Sequence, residues 1–216
     1  MNAIESGYSQ AELRFFLPLS PGQRVGVLGD SKPLIETLTA DGLTVTIISP
    51  PADHPLITDD SGNPNIDLDH LIIPEYSLDY YDPCLSRVLQ RLKPGGWLLI
   101  GIHNSESLYR IFSNKGAVLQ PFFSLKECCD LLCRNGIQIV RCYGAYDELE
   151  HPEILVPFDT GEAAYFFFRN IFVPATRFAA WTRPVAILLA SIGLQRLLFR
   201  GLVIIARRAS GGNGDH

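Results

Sequence analysis

Acid is missing from a long stretch near the end of this chain. Residues 163–208 hold seven arginines and no lysine, aspartate or glutamate, whereas the first 162 residues hold 22 acids against 11 bases. The formal net charge of −5 over 216 residues conceals that split. An apolar segment with arginine as its only charge, attached to an acidic body, favours an anionic partner or a membrane surface at that end. It disfavours nucleic acid, because the basic residues alternate with long apolar stretches and the body would repel phosphates. The five cysteines, Cys84, Cys128, Cys129, Cys133 and Cys142, contain no C-x-x-C spacing. That pattern argues against a zinc site or a disulfide framework and for buried, reduced thiols in a cytoplasmic protein. The N-terminus lacks a basic stretch followed by an apolar run, so no signal peptide is expected. The longest uncharged run of the arginine-rich segment, Pro184 to Gln195, is too short to cross a bilayer. No internal repeat is visible.

What the chain does have is enough apolar residue (47%) and little enough charge (19%) to build one sizeable core. Strand-like and helix-like segments alternate. "RVGVLG" reads as a strand, "PLIETLTADG" as a helix with Pro33 at its start and Gly42 at its stop, and "LTVTIIS" as a β-branched strand. "PPADHPLITDDSGNPNIDLD" is full of turn formers and reads as a loop. "HLIIPE" gives a third strand. Asp82-Pro83 opens the helix "PCLSRVLQRLK", which Pro94-Gly95-Gly96 should end. "WLLIGI" has the continuous apolar character of a strand buried on both faces. Ser124 and Glu127 have capping-box spacing ahead of "LKECCDLLCRN", with Gly136 after it. "IQIVRCYGAY" and "LVIIARR" are further strands, the last expected at the C-terminal edge. Two or three apolar helices divided by Pro174 and Pro184 are expected over 163–200. They would be a cover for the sheet, a lid over a lipophilic substrate or an interfacial membrane contact. The tail 209–216 is expected to be disordered. The pattern predicts a doubly wound, mostly parallel α/β sheet in a single domain over 1–208, with an apolar helical insertion before the last strand.

The stretch "DPCLSRVLQRLKPGGWLLIGIHN", followed by "SLKECCDLLCRNGIQIVRCYG", resembles the class I S-adenosylmethionine-dependent methyltransferases. "RLKPGGWLLI" is its most specific part, and the likeness runs over roughly residues 20–145 and the final strand. The resemblance implies a Rossmann-like fold and S-adenosylmethionine as cofactor. Arg24 to Gly29 matches the first strand and opening glycine of the family's cofactor loop. Ser31 and Pro33 stand where the family has further glycines, and Ser49 stands where it has an acid that holds the ribose hydroxyls. Between the second strand and "HLIIPE" the family fits another helix and strand, and this chain has about 20 loop-like residues.

In open α/β sheets ligands sit at the carboxyl ends of the strands. Those ends read Gly29-Asp30, Ser49, Glu75-Tyr76 and His103-Asn104. Gly29, Asp30, Ser49 and Glu75 are the expected cofactor contacts, although Asp30 or Ser31 better suits a helix N-cap. His103 is the expected general base, the alternative being a loop histidine satisfied by backbone. Glu75 is the second catalytic candidate, the alternative being a solvated acid. "YGAYDELEHPEILVPFD", Tyr143 to Asp159, reads as a loop bordering the substrate side, and no metal site is expected there. The function expected is methyl transfer to a small lipophilic or lipid-linked acceptor. A non-catalytic scaffold of the same fold at a membrane surface is the alternative. A nicotinamide oxidoreductase is disfavoured by the missing G-x-G-x-x-G.

Overall fold

The computed structural model describes residues 10–29, 31–48, 67–76, 82–108, 124–146, 154–158, 160–172 and 181–210. Within them the sheet has seven strands: β1 (Arg24–Leu28), β2 (Thr44–Ile48), β3 (Leu68–Tyr76), β4 (Leu92–His103), β5 (Ile137–Ala145), β6 (Leu155–Pro157) and β7 (Gly201–Arg208). Their spatial order is β2-β1-β3-β4-β7-β5-β6. The first four run parallel. Val25 pairs with His70 and His70 with Trp97, so "VGVLG", "HLIIP" and "WLLIGI" lie side by side and end at one edge. β7 runs antiparallel to both β4 and β5, and β6 antiparallel to β5. The final strand is therefore interior, not at the edge expected for it. Leu202 to Ala206 are all buried, because this strand has sheet on both sides and helices or turns over both faces.

Helices α1 (Lys32–Ala40), α2 (Asp82–Gln90), α3 (Leu125–Arg134), α4 (Gly161–Phe166) and α5 (Thr182–Ser191) pack on the sheet. Alternation along the strands sorts the core into two layers. Leu71, Ile73, Leu98, Ile100, Ile102, Leu202 and Ile204 face α2, α3 and the α4/α5 pair. Val25, Val27, Ile72, Leu99, Val203 and Ile205 face α1 and an N-terminal 3-10 turn, Gln10–Phe16. A side-chain period of two on strands covered on both sides requires this division.

Local signals explain the boundaries. Pro33 sits in the first turn of α1, with Ser31 at the cap position but making no side-chain cap bond. Ser124 accepts from the Glu127 N–H while the Glu127 carboxylate accepts from the Ser124 N–H, a complete capping box for α3. Helix α2 stops at Gln90, three residues earlier than its sequence pattern predicts. "LKPGG" instead belongs to β4 as a long bulge: Leu68 pairs with Leu92, and two residues on His70 pairs with Trp97. Gly95 there has φ +78°, and a Cβ on Gly96 would lie 2.8 Å from the Asp69 carbonyl oxygen. The motif's two glycines are thus needed for backbone shape at the blunt end of the sheet, away from the strand tips.

The 143–159 stretch is less loop-like than its composition implied. Tyr143–Ala145 completes β5, and Leu155–Pro157 forms the edge strand β6. In 163–200, α4 runs on as a π-helical turn, Phe167–Ile171. Pro184 lies inside the first turn of α5, where its missing N–H costs nothing, so it opens that helix and does not divide two. A 3-10 turn, Gln195–Leu198, leads to β7. Pro174 lies outside the described residues. Cys128 and Cys142 are buried, but Cys133 is exposed, contrary to the expectation of uniformly buried thiols. Burial pushes the Cys128 thiol up to about 12.

Candidate functional site

The carboxyl tips of β1, β3 and β4 share one edge, and each delivers one residue of interest. Gly29 follows β1 with φ +102°, a left-handed conformation that turns the chain away from the strand, while its N–H donates to the Ile48 carbonyl (3.2 Å). It lies two residues past the Val27–Ile72 pair, level with Pro74 just before Glu75. Asp30 and Ser49, the neighbouring candidates, lie outside the described residues.

Glu75 and His103 meet. His103 Nε2 is 2.7 Å from Glu75 Oε1. Simple alternation would forbid this, because Glu75 follows Leu71 and Ile73 toward one face while His103 follows Leu99 toward the other. The register shift between Ile73–Ile100 and Tyr76–Ile102 puts one extra residue into β3. An insertion of one residue in a period-two chain moves every later side chain to the opposite face, bringing Glu75 onto the face of His103. Pro74, which has no N–H for a ladder, stands at the shift. The sequence signal for the bulge was there, a proline inside an apolar strand, but it does not say which neighbour Glu75 gains.

The hydrogen bond from His103 holds the Glu75 carboxyl below the ordinary glutamate range, overcoming the opposite pull of partial burial. An ionised carboxylate only accepts, so His103 Nε2 carries the hydrogen, and in a neutral ring the lone pair then sits on Nδ1. Both side chains keep partial solvent access. The arrangement is a carboxylate-oriented imidazole at the sheet edge, able to take up a proton and stabilise the resulting cation.

Asn104 does different work from that of its neighbour. Its side-chain N–H groups donate to the carbonyls of Arg196 (2.7 Å) and Phe199 (2.8 Å), and its backbone N–H to that of Arg200 (2.9 Å). Fully buried, it fastens the turn before β7 to the tip of β4, directly beside His103. The sequence places Asn104 at a strand end without this role; an asparagine after an apolar strand signals a buried polar junction but not its partner. Glu106 adds a longer contact to Arg196 (3.7 Å).

Two grooves are lined by residues other than these. One, about 460 Å³, lies between β6 and α4 with its π turn. The other, about 240 Å³, lies between the N-terminal turn and the end of α1. Among the described residues no three His, Cys, Asp or Glu side chains group closely enough to hold a metal ion.

No protein-family model matches the sequence, and no curated protein matches it. Solved structures do match. A SAM-dependent methyltransferase from Archaeoglobus fulgidus aligns over 92% of this chain and 92% of its own, with TM-score 0.54 and 16% identity. The 4+2 cyclase SpnF aligns over 94% of this chain and 80% of its own, with TM-score 0.55 and 14% identity. A geranyl diphosphate C-methyltransferase from Streptomyces coelicolor A3(2) aligns over 93% and 75%, with TM-score 0.51 and 12% identity. At these identities the likeness is one of fold. With four parallel strands ending at a common edge and an antiparallel strand set between β4 and β5, the chain has the fold of the class I S-adenosylmethionine-dependent methyltransferases.

Proposed function

We propose that the protein is an S-adenosylmethionine-dependent methyltransferase acting on a small lipophilic or lipid-linked acceptor, with Glu75 and His103 managing the acceptor's proton. The observation that carries this reading is the 2.7 Å Glu75–His103 contact at the carboxyl tips of β3 and β4. A proton-accepting pair at the ligand-binding edge of this fold is what transfer to an ionisable oxygen or nitrogen needs. The cofactor supplies a methyl group already activated on a sulfonium, so the protein has mainly to align the partners.

The residues present fit that cofactor sparingly. Gly29 gives the sharp turn that lets backbone approach a ligand, and the ionised Glu75 is an acceptor at the same edge. Asp30 and Ser49 add oxygen acceptors next in the chain. His103 holds its hydrogen on Nε2 toward Glu75 and takes a proton from the acceptor on the imidazole, where the carboxylate stabilises the charge. The similar geranyl diphosphate C-methyltransferase holds a geranyl diphosphate analogue and S-adenosyl-L-homocysteine, which supports a lipophilic, anionic acceptor class. The similar cyclase SpnF is the reason for testing the cofactor directly.

Titration calorimetry of the full chain with S-adenosylmethionine and S-adenosylhomocysteine tests the reading. Saturable heat with both is expected; no heat at millimolar ligand ends it. Once binding is established, transfer of a labelled methyl group to a total lipid extract should occur. His103→Ala should slow transfer about 10²- to 10⁴-fold while cofactor affinity stays within about threefold.

A further inference from the structure

Helix α5 is inside out. Its small residues Ala186 and Ala190 are buried against the protein, while Trp181, Val185, Leu188 and Ile192, at helical spacings of four, three and four, form one outward stripe. Trp181 is 63% exposed and Leu188 and Ile192 are each 59% exposed. An amphipathic helix of a water-bathed domain has the opposite arrangement. The neighbouring α4 and its π turn add Phe166 and Ile171, so six of the nine exposed large hydrophobics among the described residues belong to this one helical pair. Such concentration marks a contact surface, since scattered exposed apolar residues need no explanation but a patch does.

The pair is held as a unit. Gly161 at the start of α4 lies against the Ala190 carbonyl at the end of α5. Arg183 at the start of α5 donates to the carbonyls of Phe168 and Arg169 in the π turn. The two segments therefore run antiparallel, and Phe167 and Phe168 anchor them inward on Tyr146 and Phe199.

Charge decides what covers the stripe. Arg169 stacks on Tyr165 and donates to its hydroxyl, and Arg183 donates from Nε and Nη2 to backbone carbonyls, so these partners of both are neutral and their charge is not offset by an acid there. Across 160–172 and 181–210 the one carboxylate is Glu162. A second copy docked through a two-fold axis would set arginine against arginine. An anionic lipid surface meets the apolar stripe with acyl chain and the arginines with phosphate. Crossing is excluded for these elements: no helix among the described residues is long and apolar enough to span a bilayer.

We infer that the α4/α5 pair is an interfacial docking surface for anionic phospholipid membranes. α5 lies in the headgroup plane with Trp181, Leu188 and Ile192 inserted. The surface adjoins the candidate site, because Asn104, the residue after His103, is hydrogen-bonded to the Arg196–Arg200 turn that follows α5. The inference concerns binding alone and stands whether or not methyl transfer is confirmed.

Flotation of the full chain with vesicles of phosphatidylcholine, with and without phosphatidylserine, tests it. The protein should float with the anionic vesicles, release as salt rises, and bind neutral vesicles at least about tenfold more weakly. In a Trp97→Phe background, Trp181 emission should shift to the blue on binding. Leu188→Ser/Ile192→Ser should weaken binding about tenfold for each residue, with circular dichroism and S-adenosylmethionine titration unchanged. Native protein that ignores anionic vesicles overturns the inference. So does a concentration-dependent dimer in sedimentation velocity that the same double substitution abolishes.

Discussion

Glu75 is ionised over most of the accessible pH range because His103 gives it a hydrogen bond that a protonated carboxyl would forfeit. A folded-state value below the ordinary one, about 4.3, means the contribution to stability is complete above that value and is lost as pH falls through the depressed one. Glu75→Gln should therefore cost about 1–2 kcal/mol at neutral pH, read from urea unfolding. Wild type and variant should converge in acid; a gap that persists at low pH would mean the carboxylate is not the source. Asn104→Ala should cost more, about 2–4 kcal/mol, since it orphans the carbonyls of Arg196 and Phe199 in a buried place. Activity should fall with it, because His103 precedes that anchor.

Close approach of elements decides the packing of β5 against the turn into β7. A Cβ on Gly144 would meet the ring of Phe199 at 2.3 Å, and Phe199 is completely buried beneath Phe158 and Phe168. An aromatic ring so enclosed has nowhere to retreat. Gly144→Ala should destabilise by about 2–3 kcal/mol, while Gly144→Ala/Phe199→Leu should recover part of the loss. Thermal melts of the two single variants and the pair form the cycle, and additive losses would contradict direct contact. The bulge in β3 is an element-scale effect of the same kind: one residue more between Ile73 and Tyr76, and Glu75 changes face.

At the scale of the whole molecule, the candidate site lies at one end of the strands, and His70, Asp69 and Lys93 cluster at the other. There His70 is buried, with Nε2 2.9 Å from the Gln23 side-chain oxygen and Nδ1 without a hydrogen-bond partner. Burial drives the His70 value down, and the adjacent Asp69 charge only partly restores it. Asp69 itself is raised by burial but more strongly lowered by the Arg24 N–H and by Lys93 (2.6 Å), so it stays charged. The unfolded chain binds a proton to His70 more readily than the folded one does. Stability therefore rises with pH up to the ordinary histidine range, about 6.5, and falls below it. His70→Leu should flatten the melting temperature between about pH 5 and 7; an unchanged slope would place the titration elsewhere.

Residue order alone determined the alternation of strands and helices, the capping box at Ser124, the parallel grouping of "VGVLG", "HLIIP" and "WLLIGI", and the shared edge that holds Gly29, Glu75 and His103. The first two follow from local periodicity and turn chemistry, and the grouping and shared edge from the alternation of strands with crossover helices, all of which a linear chain displays. Hydropathy and charge also marked 163–208 as a greasy, basic segment. Only tertiary structure decided that the last strand is interior, that "LKPGG" bulges within β4, and that Glu75 meets His103. It also decided that α5 turns its large residues outward. These depend on which strand pairs with which, on register shifts of single residues and on which helical face finds a partner. Long-range contacts set all three, and the sequence near any one of these residues does not contain them.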